Sequence, residues 1–174
     1  MFTTSYKSPG MGELITALVK TVGAKTAIEL GTQQGHSAVL LAKGGASVKT
    51  YDLFEEKYQK EPFKETHADF KEAIKNTVMY DISVHKMDVN EVKPVECDVL
   101  HIDLCNHAGN VMPLLKKWKD KVSKMIILEG GIHNEWQRKY GFMPYQNELY
   151  RLDKWGATTF KGKYPYAVTV LTRL

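Results

Sequence analysis

Five carboxylates, Glu29, Asp52, Asp88, Asp103 and Glu129, stand at or just past the ends of short apolar runs. An acid so placed can accept hydrogen bonds from a ribose diol, face an amino group or hold a metal ion. Around the first of them residues 27–43 read AIELGTQQGHSAVLLAK, with Gly31 and Gly35 bracketing Thr32 and Gln33. Glycines there allow a tight turn and a close approach of backbone to a bound group. A dinucleotide-binding turn carries GxGxxG, and a phosphate loop carries GxxxxGKS or GxxxxGKT. This turn is one glycine short of the first, and the second is absent. Glu29 would repel a pyrophosphate but suits a cationic amino group. The expected cofactor is therefore positive at one end, carries a ribose diol and ends in a base. Other reactive groups gather in VLHIDLCNHAGNV (99–111) and IILEGGIHN (126–134). His107 and His133, with an ordinary pKa of about 6.5, are the candidates for a general base.

Periodicity predicts the elements that must position these groups. Leu14, Ile15, Leu18 and Val22 give a helix over about 11–22. Strands are expected at Thr26–Leu30, Ser47–Tyr51, Ile82–His85, Asp98–Ile102 and Met125–Leu128. Helices are expected from Gly35 to Lys43, over about 64–76, beyond the Asp103 loop to about Lys119, and from about Asn134. Gly44-Gly45 stops the second of these helices. Residues 156–174, GATTFKGKYPYAVTVLTRL, read as two adjacent strands. The expected fold is α/β: a doubly wound, mostly parallel seven-stranded sheet with an antiparallel edge strand. Ligands in such sheets bind beyond the carboxyl ends of the strands, at the switch in strand order. His101 shares a strand face with Asp103 and reads as a packed strand histidine.

A chain of 174 residues, 43% hydrophobic and 25% charged, is expected to form one soluble domain over residues 1–174. It shows no repeat or linker, no signal-peptide pattern, and no apolar run of the roughly 20 residues a membrane span needs. Cys97 and Cys105 lack metal-type spacing, which predicts a reduced, cytoplasmic protein. The net charge of +4 is mild, and the lysines of residues 114–124 read as a solvated helix face, so no nucleic-acid partner is expected.

The stretch ELGTQQGHSAVLLAK, with GMGELITALV before it, resembles the class I S-adenosylmethionine-dependent methyltransferases, and especially their catechol O-methyltransferase-like branch. The likeness covers about residues 11–130 and implies a Rossmann-like methyltransferase fold. It implies that Glu29 lies by the methionyl amino group, and that Gly31, Thr32, Gln33 and Gly35 form the cofactor turn. Ser37 would bind the methionyl carboxylate, Asp52 the ribose hydroxyls, and Asp88 would sit near the adenine amine. Asp103 would serve both cofactor and catalytic sites and, with Glu129, hold Mg²⁺, which would lower the pKa of an acceptor hydroxyl.

The chain departs from that pattern at three places. Gly130 follows Glu129, the lysine of the strand-four loop is absent, and Asn106 stands where relatives carry a histidine, with His107 one step later. Asn106 would still offer an oxygen ligand. The chain lacks the Asn-, Asp- or Ser-Pro-Pro-aromatic run of amino methylation in DNA, and neither cysteine follows a proline. A small hydroxylated acceptor is expected, with Trp136, Tyr140, Phe142 and Tyr145 as a candidate wall. The alternatives are a cofactor-binding module without turnover and, more remotely, a nucleotide-dependent oxidoreductase. Oligomeric state is not legible.

Overall fold

A computed structural model of the chain describes residues 10–54, 68–104, 107–130, 146–149, 152–161 and 167–174. Among them the order is α1 (Met11–Thr21), β1 (Thr26–Leu30), α2 (His36–Lys43), β2 (Ser47–Asp52), α3 (Phe70–Thr77) and β3 (Ile82–Lys86). There follow β4 (Cys97–Ile102), α4 (Ala108–Trp118), β5 (Val122–Glu129), α5 (Gln146–Leu149), β6 (Trp155–Lys161) and β7 (Ala167–Arg173). The seven strands form one sheet in the order β3-β2-β1-β4-β5-β7-β6. Its first five strands are parallel, and the closing pair brings in antiparallel pairing through β7. Strand order reverses between β1 and β4, so the switch point lies beyond the carboxyl ends of these two strands.

Alternation along the strands builds a core on each face of the sheet. Ile28, Leu30, Leu100, Ile102, Ile126 and Leu128 pack with Val111, Leu115 and Trp118 of α4. Ala27, Val99, Met125 and Ile127 pack instead with Ile15 and Val19 of α1 and Leu41 of α2. Each large apolar side chain buried in this way stabilises the fold by about 1.5–3 kcal/mol. Gly23, at φ 59°, ends α1. Its amide bonds Lys20 O and the next amide bonds Val19 O, which turns the chain into β1.

Several boundaries differ from expectation by one residue or more. β5 begins at Val122, three residues early, because a 3-10 turn (Lys119–Lys121) delivers Val122 into the core opposite Cys97. β4 likewise starts at Cys97, whose thiol is pushed up to about 12 by burial and by the Asp98 charge, so it is an inert core group. α3 starts at Phe70, with the Asp69 carboxylate accepting from the amides of Lys71 and Glu72. The expected helix over about 64–76 is shorter at its start, because Ala68 and Asp69 are not helical and Asp69 caps it from outside; residues 64–67 and the expected helix from Asn134 lie outside the described residues. Among the described residues no helix is long and apolar enough to cross a membrane.

Candidate functional site

The turn between β1 and α2 is held from every side. Gly31 N bonds Tyr51 O at 2.8 Å, and one Asp52 oxygen accepts from the amides of Thr32 and Gln33, each at 2.9 Å. The other Asp52 oxygen accepts from Phe54 N at 3.1 Å. Asn76 of α3 reaches over to donate to Gln34 O at 2.9 Å. Gly31, Gln33 and Gly35 all take left-handed backbone, at φ 102°, 48° and 80°. A Cβ at Gly31 would collide with the backbone carbonyl of Asp103, and one at Gly35 would meet Thr77 Cγ2 at 2.8 Å. Glycine at 31 therefore lets the turn after β1 touch the chain leaving β4.

Beneath this turn a polar row crosses three strands. Glu29 on β1 stands in register with Thr50 on β2 and His101 on β4, and all three are fully buried. The Thr50 hydroxyl donates to Glu29 Oε2 at 2.6 Å, and His101 Nδ1 lies 2.9 Å from Glu29 Oε1. A carboxylate only accepts, so the ring proton sits on Nδ1. Burial alone lowers the imidazole pKa. The hydrogen bond and charge of Glu29, with the charge of Asp103, outweigh it and raise His101 above its ordinary value.

At the carboxyl ends of β4 and β5 the side chains of Asp103 and Glu129 hydrogen-bond each other. Two carboxyls can do so only by sharing a proton. Burial first, then the Glu129 charge and that hydrogen bond, hold the Asp103 carboxyl well above the usual carboxylate range; Glu29 adds to this and His101 opposes it. Among the described residues no group of three His, Cys, Asp or Glu side chains is placed to hold a metal ion.

The five strand-end acids thus divide. Glu29, Asp103 and Glu129 form one interacting cluster, whereas Asp52 anchors the turn. Asp88 accepts from the backbone and side chain of Asn90, at 2.8 and 3.0 Å, in the loop after β3. Ser37 is buried in the first turn of α2, a helix whose N-cap, Gly35, supplies no side-chain cap. His107 is the N-cap of α4, its Nδ1 accepting from Gly109 N at 2.9 Å. When that ring is neutral its proton is on Nε2, so its basic nitrogen is already used. Asn106, His133 and the aromatic residues 136–145 lie outside the described residues. Sequence reasoning missed Thr50 altogether and took His101 for packing. The available signal was a polar residue at an inward position on each of three strands.

No protein-family model and no curated protein matches the amino-acid sequence. Solved structures do match in fold. An O-methyltransferase from Bacillus cereus in complex with SAH is 17% identical, with a TM-score of 0.68 over 96% of this chain and 82% of that one. SAH-bound PaMTH1, a methyltransferase from Podospora anserina, is 16% identical, with a TM-score of 0.65 over 98% of this chain and 80% of that one. The O-methyltransferase TomG from Streptomyces achromogenes, involved in tomaymycin synthesis and solved with SAM, is 15% identical, with a TM-score of 0.66 over 95% and 80%. The chain has the Rossmann-like fold of these methyltransferases.

Proposed function

We propose that this chain is an S-adenosylmethionine-dependent O-methyltransferase of the cytoplasm, acting on a small hydroxylated molecule and not on nucleic acid. One observation carries the proposal: Gly31, in the turn suited to the methyl donor, packs on the backbone of Asp103, the acid suited to the acceptor. S-adenosylmethionine would supply a methyl group that an acceptor oxygen attacks in line, the O–C bond forming as the C–S bond breaks and S-adenosylhomocysteine leaves. Holding the two partners in contact is then most of the catalysis. The fold neighbours that carry SAH or SAM support the same assignment.

The donor groups fit this cofactor. Asp52 has about four acceptor directions, and the amides of Thr32, Gln33 and Phe54 use three, which leaves one toward a ribose diol. The N-terminus of α2, with no side-chain cap on Gly35 and Ser37 buried in its first turn, suits the methionyl carboxylate. Glu29, with Thr50 on one oxygen and His101 on the other, supplies negative charge beneath the cationic amino group. Asp88 is assigned to the adenine amine.

On the acceptor side the Asp103–Glu129 pair has two uses. The pair shares one proton and keeps one charge, and that remaining carboxylate would take a hydroxyl proton. The same hard oxygens would hold Mg²⁺, with Asn106 as a further donor, and the metal would acidify the acceptor hydroxyl. His133 is the remaining histidine candidate, since His107 Nδ1 serves α4. Calorimetric titration with S-adenosylmethionine, with and without Mg²⁺ and with NAD as control, tests the cofactor. Binding that disappears in Asp52→Ala is expected; no binding by folded protein removes the proposal. Mass spectrometry of a hydroxylated acceptor panel then looks for added methyl groups. Binding with no transfer would leave a cofactor-binding module.

A further inference from the structure

We infer that Thr50 and His101 are positioning residues of the cofactor turn, acting on it through Glu29; the inference rests on the S-adenosylmethionine assignment. Thr32 Oγ1 lies 2.5 Å from Thr50 Oγ1, which lies 2.6 Å from Glu29 Oε2. The carboxylate can only accept, so the single Thr50 proton goes to Glu29, and the Thr50 oxygen accepts from Thr32. The order is therefore Thr32 to Thr50 to Glu29. His101 Nδ1 on the other carboxylate oxygen stops Glu29 from rotating away.

The relay decides where the turn sits. The hydroxyl of Thr32 is drawn down into the sheet, while its amide and that of Gln33 are drawn sideways to Asp52. Together these bonds hold Gln33 at φ 48°, a conformation that costs a non-glycine residue free energy. Both Glu29 oxygens are engaged inside the sheet, so Glu29 shapes the cofactor site through Thr32 and through its charge. Because His101 lies on β4 two residues before Asp103, the same row ties the donor turn to the strand that leads into the acceptor acid.

The test is titration with S-adenosylhomocysteine, which cannot turn over, beside thermal melting of each unliganded variant. Thr50→Val keeps the shape and removes the hydroxyl, whereas Thr50→Ser keeps the hydroxyl. Thr50→Val should weaken binding about tenfold, and Thr50→Ser should stay within about twofold of wild type. Thr32→Val should cost a similar factor, and Thr32→Val with Thr50→Val should lose no more than either alone, since both cut one chain. His101→Asn, which can present a donor near the former Nδ1, should bind more tightly than His101→Leu. Unchanged binding in a cooperatively melting Thr50→Val, or losses that multiply in the double variant, would overturn the relay. Equal losses in the two His101 variants would remove His101 from it. If folded wild-type protein binds no S-adenosylhomocysteine, the cofactor assignment falls and the inference with it; wild-type binding with an indifferent Thr50→Val sinks the inference alone.

Discussion

Glu29 Oε1 and His101 Nδ1 lie 2.9 Å apart between neighbouring parallel strands, and neither side chain is exposed. Removing one member of a buried pair leaves the other desolvated and uncompensated, at a cost of about 3–5 kcal/mol. Glu29→Ala should therefore lose about 3 kcal/mol or more in urea unfolding at pH 7. Replacing both residues with leucine should cost less than the two single leucine substitutions summed. A Glu29→Ala variant within about 1 kcal/mol of wild type would mean that the pair carries little of the fold.

Gly31 and Gly45 share nearly the same backbone, at φ 102° and 103°, but only Gly31 is crowded. Alanine at 45 meets nothing within 4 Å and should cost only the left-handed strain, about 1–2 kcal/mol. Alanine at 31 must also push the Asp103 carbonyl away, so it should lose clearly more stability and weaken S-adenosylmethionine binding. Chemical denaturation of both variants with cofactor titration checks this. Equal costs at the two positions would show that the contact with Asp103 yields easily.

The buried Asp103–Glu129 pair must hold a proton to keep its hydrogen bond in the ligand-free protein, whereas an amide at 103 donates to Glu129 without one, so that change should help the fold while harming the chemistry. Asp103→Asn should melt about 3 °C higher than wild type, equivalent to about 1 kcal/mol, and transfer no methyl group. Mg²⁺ should raise the melting temperature of wild type by mass action and leave that of Asp103→Asn unchanged. A variant that melts lower than wild type would show that holding the shared proton costs the fold nothing. An equal Mg²⁺ shift in both proteins would place the metal elsewhere.

At the opposite end of the sheet, Asp98 accepts from Lys25 N at 2.7 Å and the Ser123 hydroxyl at 2.8 Å, with Lys124 at 3.5 Å. Burial pushes its pKa up, but those hydrogen bonds and the lysine charge prevail and hold it below the ordinary value. A depressed carboxylate stabilises the fold above its unfolded pKa of about 3.9, and that contribution fades as pH falls through the lower folded value. Discounted for solvent screening, Asp98→Asn should cost no more than about 1 kcal/mol at pH 7, with the gap closing below about pH 4. Urea unfolding across pH 2.5–7, a range of about that width, measures it; a gap that stays constant would show that the charge of Asp98 is immaterial.

The order of strands and helices was legible in the chain because it depends on local periodicity. Short, mostly apolar runs such as AIEL, DVLHI and MIIL mark buried strands, and the acids at their ends follow from where each run stops. The glycines of ELGTQQG likewise announced a tight turn, since only backbone conformation was at issue. The tertiary structure alone decided what those residues do together. Thr50 and His101 stand 21 and 72 positions from Glu29, and nothing local joins them. They meet because β1 lies between β2 and β4, in a register set by helices packing across both faces of the sheet. The same holds for Gly31 against Asp103 and for His107, whose role as a cap depends on where α4 begins. Periodicity along one chain specifies which side of a strand a residue faces; its partner on the next strand is set by order and register, and these are properties of the packed sheet.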